Sequence, residues 1–561
     1  MVYAMEQMDG RQGATARTAA EARGLTTMLE ADYVIVGAGS AGCVLANRLS
    51  ADGSTVILLE AGPRDWHPMI HVPAGILKLL YNPLVNWNYA SEPDARTGNR
   101  AIHWPRGRVL GGSSSINGML FVRGNPADFD NWAQMGCRGW TYDDCLPHFK
   151  AIERYAPGED SYRGKQGPLL IEDYRTILPI THSFVEAATK AGHPRLKDLS
   201  GATPADGVGY SQMSRNGRFR GSTAQTFLRD ARSRPNLRIV TNATALKLLL
   251  DGNRCTGVRI DQKSRETDIK ARREVIVSSG SINSPHLLQV SGIGPGAHLK
   301  SIGVEVLHDL PGVGSNLSDH YATRISHRLK PNTKTINQLA RGLPLLGEIA
   351  KWLTVGNGAL TFGVSSAQAF TRSREGVEAP DIQLLFSPAS YDPTKFGALE
   401  KKPGATIAVS IARPESRGTI MAVSADPLAR PAIKPNYLAS PNDIRVALAG
   451  LAKARAIFAQ PAFAEHSEGE IVPGPDVTSE AGLTEYVRAF GTTIYHPVGT
   501  CKMGEDPQAV VDSRLRVRGL SGLRVIDASI MPAVTTGNTN APTIMIAEKG
   551  ASMIREDARR M

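Results

Sequence analysis

Apolar residues in this chain come in short uninterrupted runs, and the glycines and polar turns between them predict its elements. The first run, Tyr33 to Val36, is followed by Gly37, Gly39 and Gly42, and the apolar positions from Ala41 to Leu49 then take helical spacing. A β-branched run of this kind predicts a strand buried on both faces, and the change of spacing predicts a helix directly after it. A second run, TVILLE, ends in Glu60 and predicts the next strand of a βαβ unit, the opening of an α/β fold. LRIVTNATALKLLL, CTGVRI, REVIVSSG and the LRVID that ends at Asp527 are further strand candidates, and REVIVSSGSINSPHLLQVSGIG again passes from strand through a small-residue turn to a helix.

Between residues 330 and 480 the pattern changes. IQLLFS, TIAVSIA and GTIMAVS resemble strands of an antiparallel sheet. The expected organisation is therefore a polar extension over 1–30, with Met28 as a candidate start, and a discontinuous nucleotide-binding domain over 31–150, 215–325 and 490–555. A second, substrate-facing sheet domain is expected over 151–214 and 326–489. The stretch LARGLPLLGEIAKWL, Leu339 to Leu353, is apolar with helical spacing. It reads either as a helix packed on the sheet or covering a pocket, or as a helix lying on a membrane surface.

Composition narrows the function classes. A formal net charge of +11 is spread along the 561 residues instead of forming an arm or stripe, so a nucleic-acid partner is not expected and an anionic cofactor or a solvated basic surface accounts for it. Five cysteines without CxxC spacing suggest neither a disulfide framework nor a zinc site, and no metal is expected. No apolar run approaches the roughly 18 residues of a membrane span, and the first thirty residues carry no apolar signal core. A reducing, cytoplasmic location is expected, with peripheral association with the inner membrane left open. The oligomeric state is not legible.

The chemistry begins at Gly37-x-Gly39-x-x-Gly42. The first glycine permits the tight turn, the second lets backbone approach a pyrophosphate, and the third allows close packing of helix on strand. Glu60, at the end of the second strand, is placed to accept hydrogen bonds from ribose hydroxyls, which disfavours NADP. The motif alone does not separate NAD from FAD. A second backbone-rich loop, RGRVLGGSSSINGMLFVRGNPADFD over Arg106 to Asp130, suits contact with a long ligand and is not called for by any nicotinamide rule.

That loop resembles the first signature of the glucose-methanol-choline (GMC) oxidoreductases, and GSINSPHLLQVSGIG resembles the second. LPGVGSNLSDH, YHPVGTCKMG and IDASIMPAVTTGNTNAPTIMIAEK are similar to further segments of that family in the same order, from about residue 31 to 555. The resemblance is nearest to bacterial choline and alcohol dehydrogenases. It implies FAD in a Rossmann-like domain of the glutathione-reductase type, with an antiparallel-sheet domain as the substrate wall. Gly37, Gly39, Gly42 and Glu60 are implied at the adenosine diphosphate, and Gly112, Asn117, Gly118 and Leu120 along the flavin. Ala245 is implied on the adenine side, and Asp527 and Ala528 at the ribityl and pyrophosphate region. Trp87, Tyr495 and Asn538 are expected near the cofactor. Where some members carry a histidine that attaches the flavin, this chain has Ile116, so FAD is expected to be non-covalent.

The resemblance also implies a catalytic histidine followed, 44 residues on, by His or Asn, a separation that His496 and Asn540 have. A neutral imidazole is suited to take a hydroxyl proton at physiological pH, while a partner that hydrogen-bonds the same oxygen orients it. The expected reaction is oxidation of a primary alcohol to the aldehyde, with hydride passing to flavin N5 and electrons to a quinone or other acceptor. An oxygen-using oxidase, including the hydroxymethylfurfural and aryl-alcohol type, a choline dehydrogenase and a hydroxynitrile lyase are the alternatives. Choline-using relatives carry a glutamate beside the ammonium group. A rough alignment puts Ser366 there, which favours a neutral aliphatic or aryl alcohol.

Overall fold

A computed structural model describes residues 29–392 and 397–560; most of the expected N-terminal extension lies outside them. Strand Glu30–Val36 is central in a seven-stranded sheet, with Val56–Glu60 and Leu237–Thr241 on one side and Glu266–Val277, Arg254–Gln262 and Ala243–Asp251 on the other. Leu523–Val525 lies parallel to the C-terminal end of Glu266–Val277. The strands of the βαβ unit are parallel and buried on both faces, which explains why they read as continuous apolar runs. Helix Ser40–Leu49 and the last helix, Asn540–Arg560, pack against each other beside this sheet.

The segment LRIVTNATALKLLL, expected as one strand, is two. Asn242 takes a left-handed φ of 53°, a conformation asparagine tolerates better than most residues. The chain turns there, so Leu237–Thr241 runs parallel to Val56–Glu60 and Ala243–Asp251 runs antiparallel to Arg254–Gln262.

The second sheet is antiparallel, in the order Ser467–Val472, Tyr321–Leu329, Gly404–Ile411, Ile382–Ser387, Ala367–Thr371, Gly207–Tyr210. Helix Pro441–Phe458 backs it. GTIMAVS does not join this sheet; Thr419–Met421 forms a separate pair with Ala432–Lys434. The short strand Thr492–Thr493 pairs with the start of Tyr321–Leu329, Tyr321 lying opposite Thr493. That register brings His320 and His496, each just outside its strand, to the seam between the two sheets. Among the described residues, no helix is long and apolar enough to cross a membrane.

Candidate active site

At one end of the seam the walls are backbone. Gly37 has φ 101°, and a Cβ there would meet the Ser278 carbonyl oxygen at 2.6 Å. A Cβ at Gly42 would lie 1.9 Å from the Gly37 oxygen, so this glycine lets helix Ser40–Leu49 close onto the turn. Gly39 faces open space, its nearest neighbour being Gly112 Cα at 4.0 Å, while a Cβ on Gly112 would reach Gly39 Cα at 2.6 Å. The two glycine loops therefore leave a narrow slot between bare backbones, at the N-terminus of a helix that favours negative charge. Glu60 stands at the side of this slot, accepting the N–H of Ala38 at 3.1 Å and of Gly62 at 2.8 Å. Burial lifts its carboxyl to about 7 against the lowering effect of those two bonds.

Sixteen residues were expected at the site, and all but Gly42 line a single cavity of about 1370 Å³ that runs from this slot to the antiparallel sheet. That volume exceeds the few hundred to 1,000 Å³ or so of a typical small-ligand pocket and leaves room for a dinucleotide and a substrate together. Its described charged walls are Arg100, Arg106, Arg108, Arg324 and Arg430 against Glu60, Asp392 and Asp527, a positive balance suited to a diphosphate. Asn117 is fixed by the buried Arg220, whose Nη1 donates to its Oδ1 at 2.9 Å. Asp527 works as a clamp, its carboxylate accepting from Gly280 N, Ser284 Oγ and Ser529 N at 2.8, 2.5 and 2.8 Å. Trp87 lies under the Arg108 guanidinium at 5.1 Å. The residues present thus fit a bound flavin adenine dinucleotide. Ile116, buried beside Asn117, offers no nucleophilic atom.

At the other end the walls are side chains held by side chains. His496 follows Tyr495, whose left-handed φ of 72° is braced by the Arg106 guanidinium donating to its carbonyl at 2.6 Å. The His496 N–H donates to Asp319 Oδ1 at 2.8 Å, and Thr493 Oγ1 donates to Asp319 Oδ2 at 2.6 Å. The ring touches two partners: His320 Nδ1 at 2.9 Å from its Nδ1, and Asn538 Nδ2 at 3.2 Å from its Nε2.

These contacts fix the tautomer. His320 Nε2 lies 3.0 Å from the Ala412 carbonyl, which can only accept, so that nitrogen carries the hydrogen. The Nδ1 of a neutral His320 is then an acceptor, and His496 Nδ1 must donate to it. His496 Nε2 is left with a lone pair directed at Asn538 and the cavity. Burial lowers His320 to about 4. It also holds His496 well below its ordinary range, with smaller contributions from His320 and Arg106, so both rings are neutral at pH 7.

Asn540 lines the same cavity as His496. It is the first residue of helix Asn540–Arg560, and its Oδ1 accepts from Ser40 Oγ at 2.8 Å, on the cofactor side. Asn538, in the loop before the helix, is the residue at the imidazole. Its amide is oriented by Gln383 Nε2, which donates to Asn538 Oδ1 at 3.3 Å and to Gln368 Oε1 at 2.8 Å. Ser366 does not face the cavity. It is buried against Thr181 Oγ1 at 2.9 Å, while its neighbours Val364 and Ser365 line the wall. His320 and Asp319 were not anticipated from sequence, although they close the LPGVGSNLSDH segment.

Known proteins resemble this chain along nearly its whole length. Two family models described as GMC oxidoreductase match residues 31–322 and 414–547. An alcohol dehydrogenase [acceptor] of Pseudomonas putida is 43% identical over 530 residues, covering 93% of this chain and 95% of the relative. An oxygen-dependent choline dehydrogenase of Sinorhizobium fredii is 42% identical, covering 94% and 96%. Among solved structures, pyridoxine 4-oxidase from Mesorbium loti superposes with a TM-score of 0.85 at 32% identity, over 94% of this chain and 99% of that one. A formate oxidase superposes with a TM-score of 0.87 at 27% identity. With both family models matched in chain order, and with relatives of this identity along nearly its whole length, the chain belongs to the GMC oxidoreductases and is an FAD-binding flavoprotein.

Proposed function

We propose that the protein oxidises a primary alcohol to the aldehyde and passes the electrons to an external acceptor. The observation that carries this reading is the unprotonated Nε2 of His496, held toward the cavity by its bond to His320. The FAD, when bound, supplies the hydride acceptor. The protein's own part is the proton and the geometry.

An alcohol oxygen that enters between His496 and Asn538 replaces their direct contact with two hydrogen bonds. The hydroxyl donates to His496 Nε2, and the Asn538 amide N–H donates to the oxygen. His496 takes the proton as general base, and the Asn538 N–H stabilises alkoxide charge as it develops. Gln383 and Gln368 hold the amide so that its nitrogen, not its oxygen, faces the substrate. Buried surroundings keep the imidazole neutral and ready, since its charged form is penalised by desolvation.

The sheet rows beside His496 favour a neutral alcohol over choline. On the cavity face, Ala322, Ser410 and Gln383 form one row and Arg324, Ala408 and Leu385 the next. Neither row holds a carboxylate, and the second places a cation on the wall, where a quaternary ammonium is disfavoured. Asp392, also on the wall, supports choline as the second reading, in line with the choline dehydrogenase relatives. Anaerobic mixing with a panel of neutral alcohols and choline, followed by air, separates these readings. Bleaching of the flavin by a neutral primary alcohol with slow recolouring in air is expected. Bleaching by choline alone, or by no alcohol, refutes the proposal. Acid precipitation is expected to leave the flavin in solution, because Ile116 cannot attach it.

A further inference from the structure

Helix Gly342–Val355 reverses the usual arrangement of a surface helix, which turns its apolar stripe to the core and its charges to water. Its one buried residue is a carboxylate. Glu348 is 4% exposed and accepts from the Ala359 N–H at 2.6 Å and from Lys351 Nζ at 2.7 Å. Leu343, Leu346, Leu353 and Val355 are instead 82, 62, 57 and 66% exposed. The helix is anchored from below by Trp352, whose Nε1 donates to the Arg218 carbonyl at 3.0 Å and whose ring meets Phe219 edge-on at 5.8 Å. The apolar surface continues past it. Phe219 is itself 44% exposed, and its strand packs against helix Pro68–His71, just before which Trp66 is 78% exposed. An apolar surface of this kind marks an interaction site.

The charges around it identify the partner. Glu348, the one acid on the helix, faces inward. Arg341 directly precedes the helix, Lys351 lies on it and is paired with Glu348, and Lys334 is close enough to act on Glu348. Arg218 donates to the Leu353 carbonyl at the helix C-terminus, and Arg341 donates to Leu399, which brings the exposed Lys401 and Lys402 alongside. A leucine face with a cationic rim matches the acyl boundary and head groups of an anionic bilayer. The same rim opposes a self-complementary contact with a second copy, which would set cation against cation. At 14 residues the helix is about 21 Å long and too short to span a hydrocarbon core of about 30 Å, so it lies flat.

We propose that helix Gly342–Val355 is a membrane-docking element that seats the protein on anionic bilayers through Leu343, Leu346 and Leu353. This site is separate from the alcohol chemistry, and its failure leaves that reading untouched. The test is sedimentation of the full-length, FAD-loaded protein with sucrose-loaded vesicles, either of phosphatidylcholine alone or of equal parts phosphatidylcholine and phosphatidylglycerol. Binding to the mixed vesicles is expected, at least about 10-fold weaker to phosphatidylcholine alone and weakened by salt. Leu346→Glu combined with Leu353→Glu should reduce binding at least about 10-fold, with flavin content and alcohol-dependent bleaching unchanged. Both positions are exposed, so retained flavin reports an intact fold. Wild type that stays in the supernatant, or a double variant that sediments equally well, overturns the proposal. So does a wild-type dimer that the double variant converts to monomer without vesicle binding, since that assigns the face to a second copy.

Discussion

The two ends of the cavity are built from opposite materials. At the dinucleotide end the contact surface is backbone, Gly37, Gly39 and Gly112, and what matters there is the absence of side chains. At the His496 end the imidazole is oriented mainly through other side chains, Asp319, His320, Gln383 and Asn538, with the Ala412 carbonyl as the backbone stop. The first kind of site fails sterically and completely. The second is expected to fail chemically and by degrees, with flavin and fold retained when one of its side chains is lost.

This contrast can be broken in order of expected effect. Gly42→Val should abolish flavin retention, because even its first added carbon falls 1.9 Å from the Gly37 oxygen; a yellow protein after gel filtration would contradict the packing role. His496→Ala should keep its flavin yet lose at least about 10²-fold in the rate of bleaching by alcohol, the lower range for a general base. Stopped-flow reduction at a near wild-type rate would remove His496 from the chemistry. Asn538→Ala should cost about 10²-fold in the same step, as for a donor to a developing oxyanion. Asn540→Ala should cost less than about 10-fold, the worth of one ordinary hydrogen bond. An inverted pair of results would restore Asn540 as the partner. The smallest effect is in pH. Because the base works in its neutral form and burial lowers its pKa, kcat/KM for reduction should stay level as pH falls through about 6.5 and decline only below it. A half-maximal rate at or above that value would contradict the neutral buried pair.

The same contrast explains what the sequence made legible. Gly37 to Gly42 and Glu60 are readable because a local turn, a helix N-terminus and a strand end must follow one another within a few residues. The first sheet was readable from its apolar runs for the same reason, except where Asn242 turns the chain in the middle of one. His496 stood out through its flanking segment, but the asparagine that touches its ring, Asn538, did not. Sequence separation does not say that the last helix begins at Asn540 and leaves Asn538 in the loop before it. His320 is 176 residues from His496 and joins it only through the pairing of Tyr321 with Thr493, a register no periodicity encodes. Ser366 illustrates a related loss: alternation along a strand end decides which of Val364, Ser365 and Ser366 faces the ligand, and a slip of one residue reverses the answer.

The bond from His320 Nε2 to the Ala412 carbonyl has one more consequence. It ends the chain of hydrogen bonds at a group that cannot accept a transferable proton and pass it on. The imidazole pair is a cul-de-sac: in the proposed reaction a proton that reaches His496 Nε2 finds no acceptor beyond His320 and leaves by way of the cavity. In the proposed reaction, recharging the base is therefore tied to vacating the cavity, so that departure of the product and release of the proton are expected to be one event.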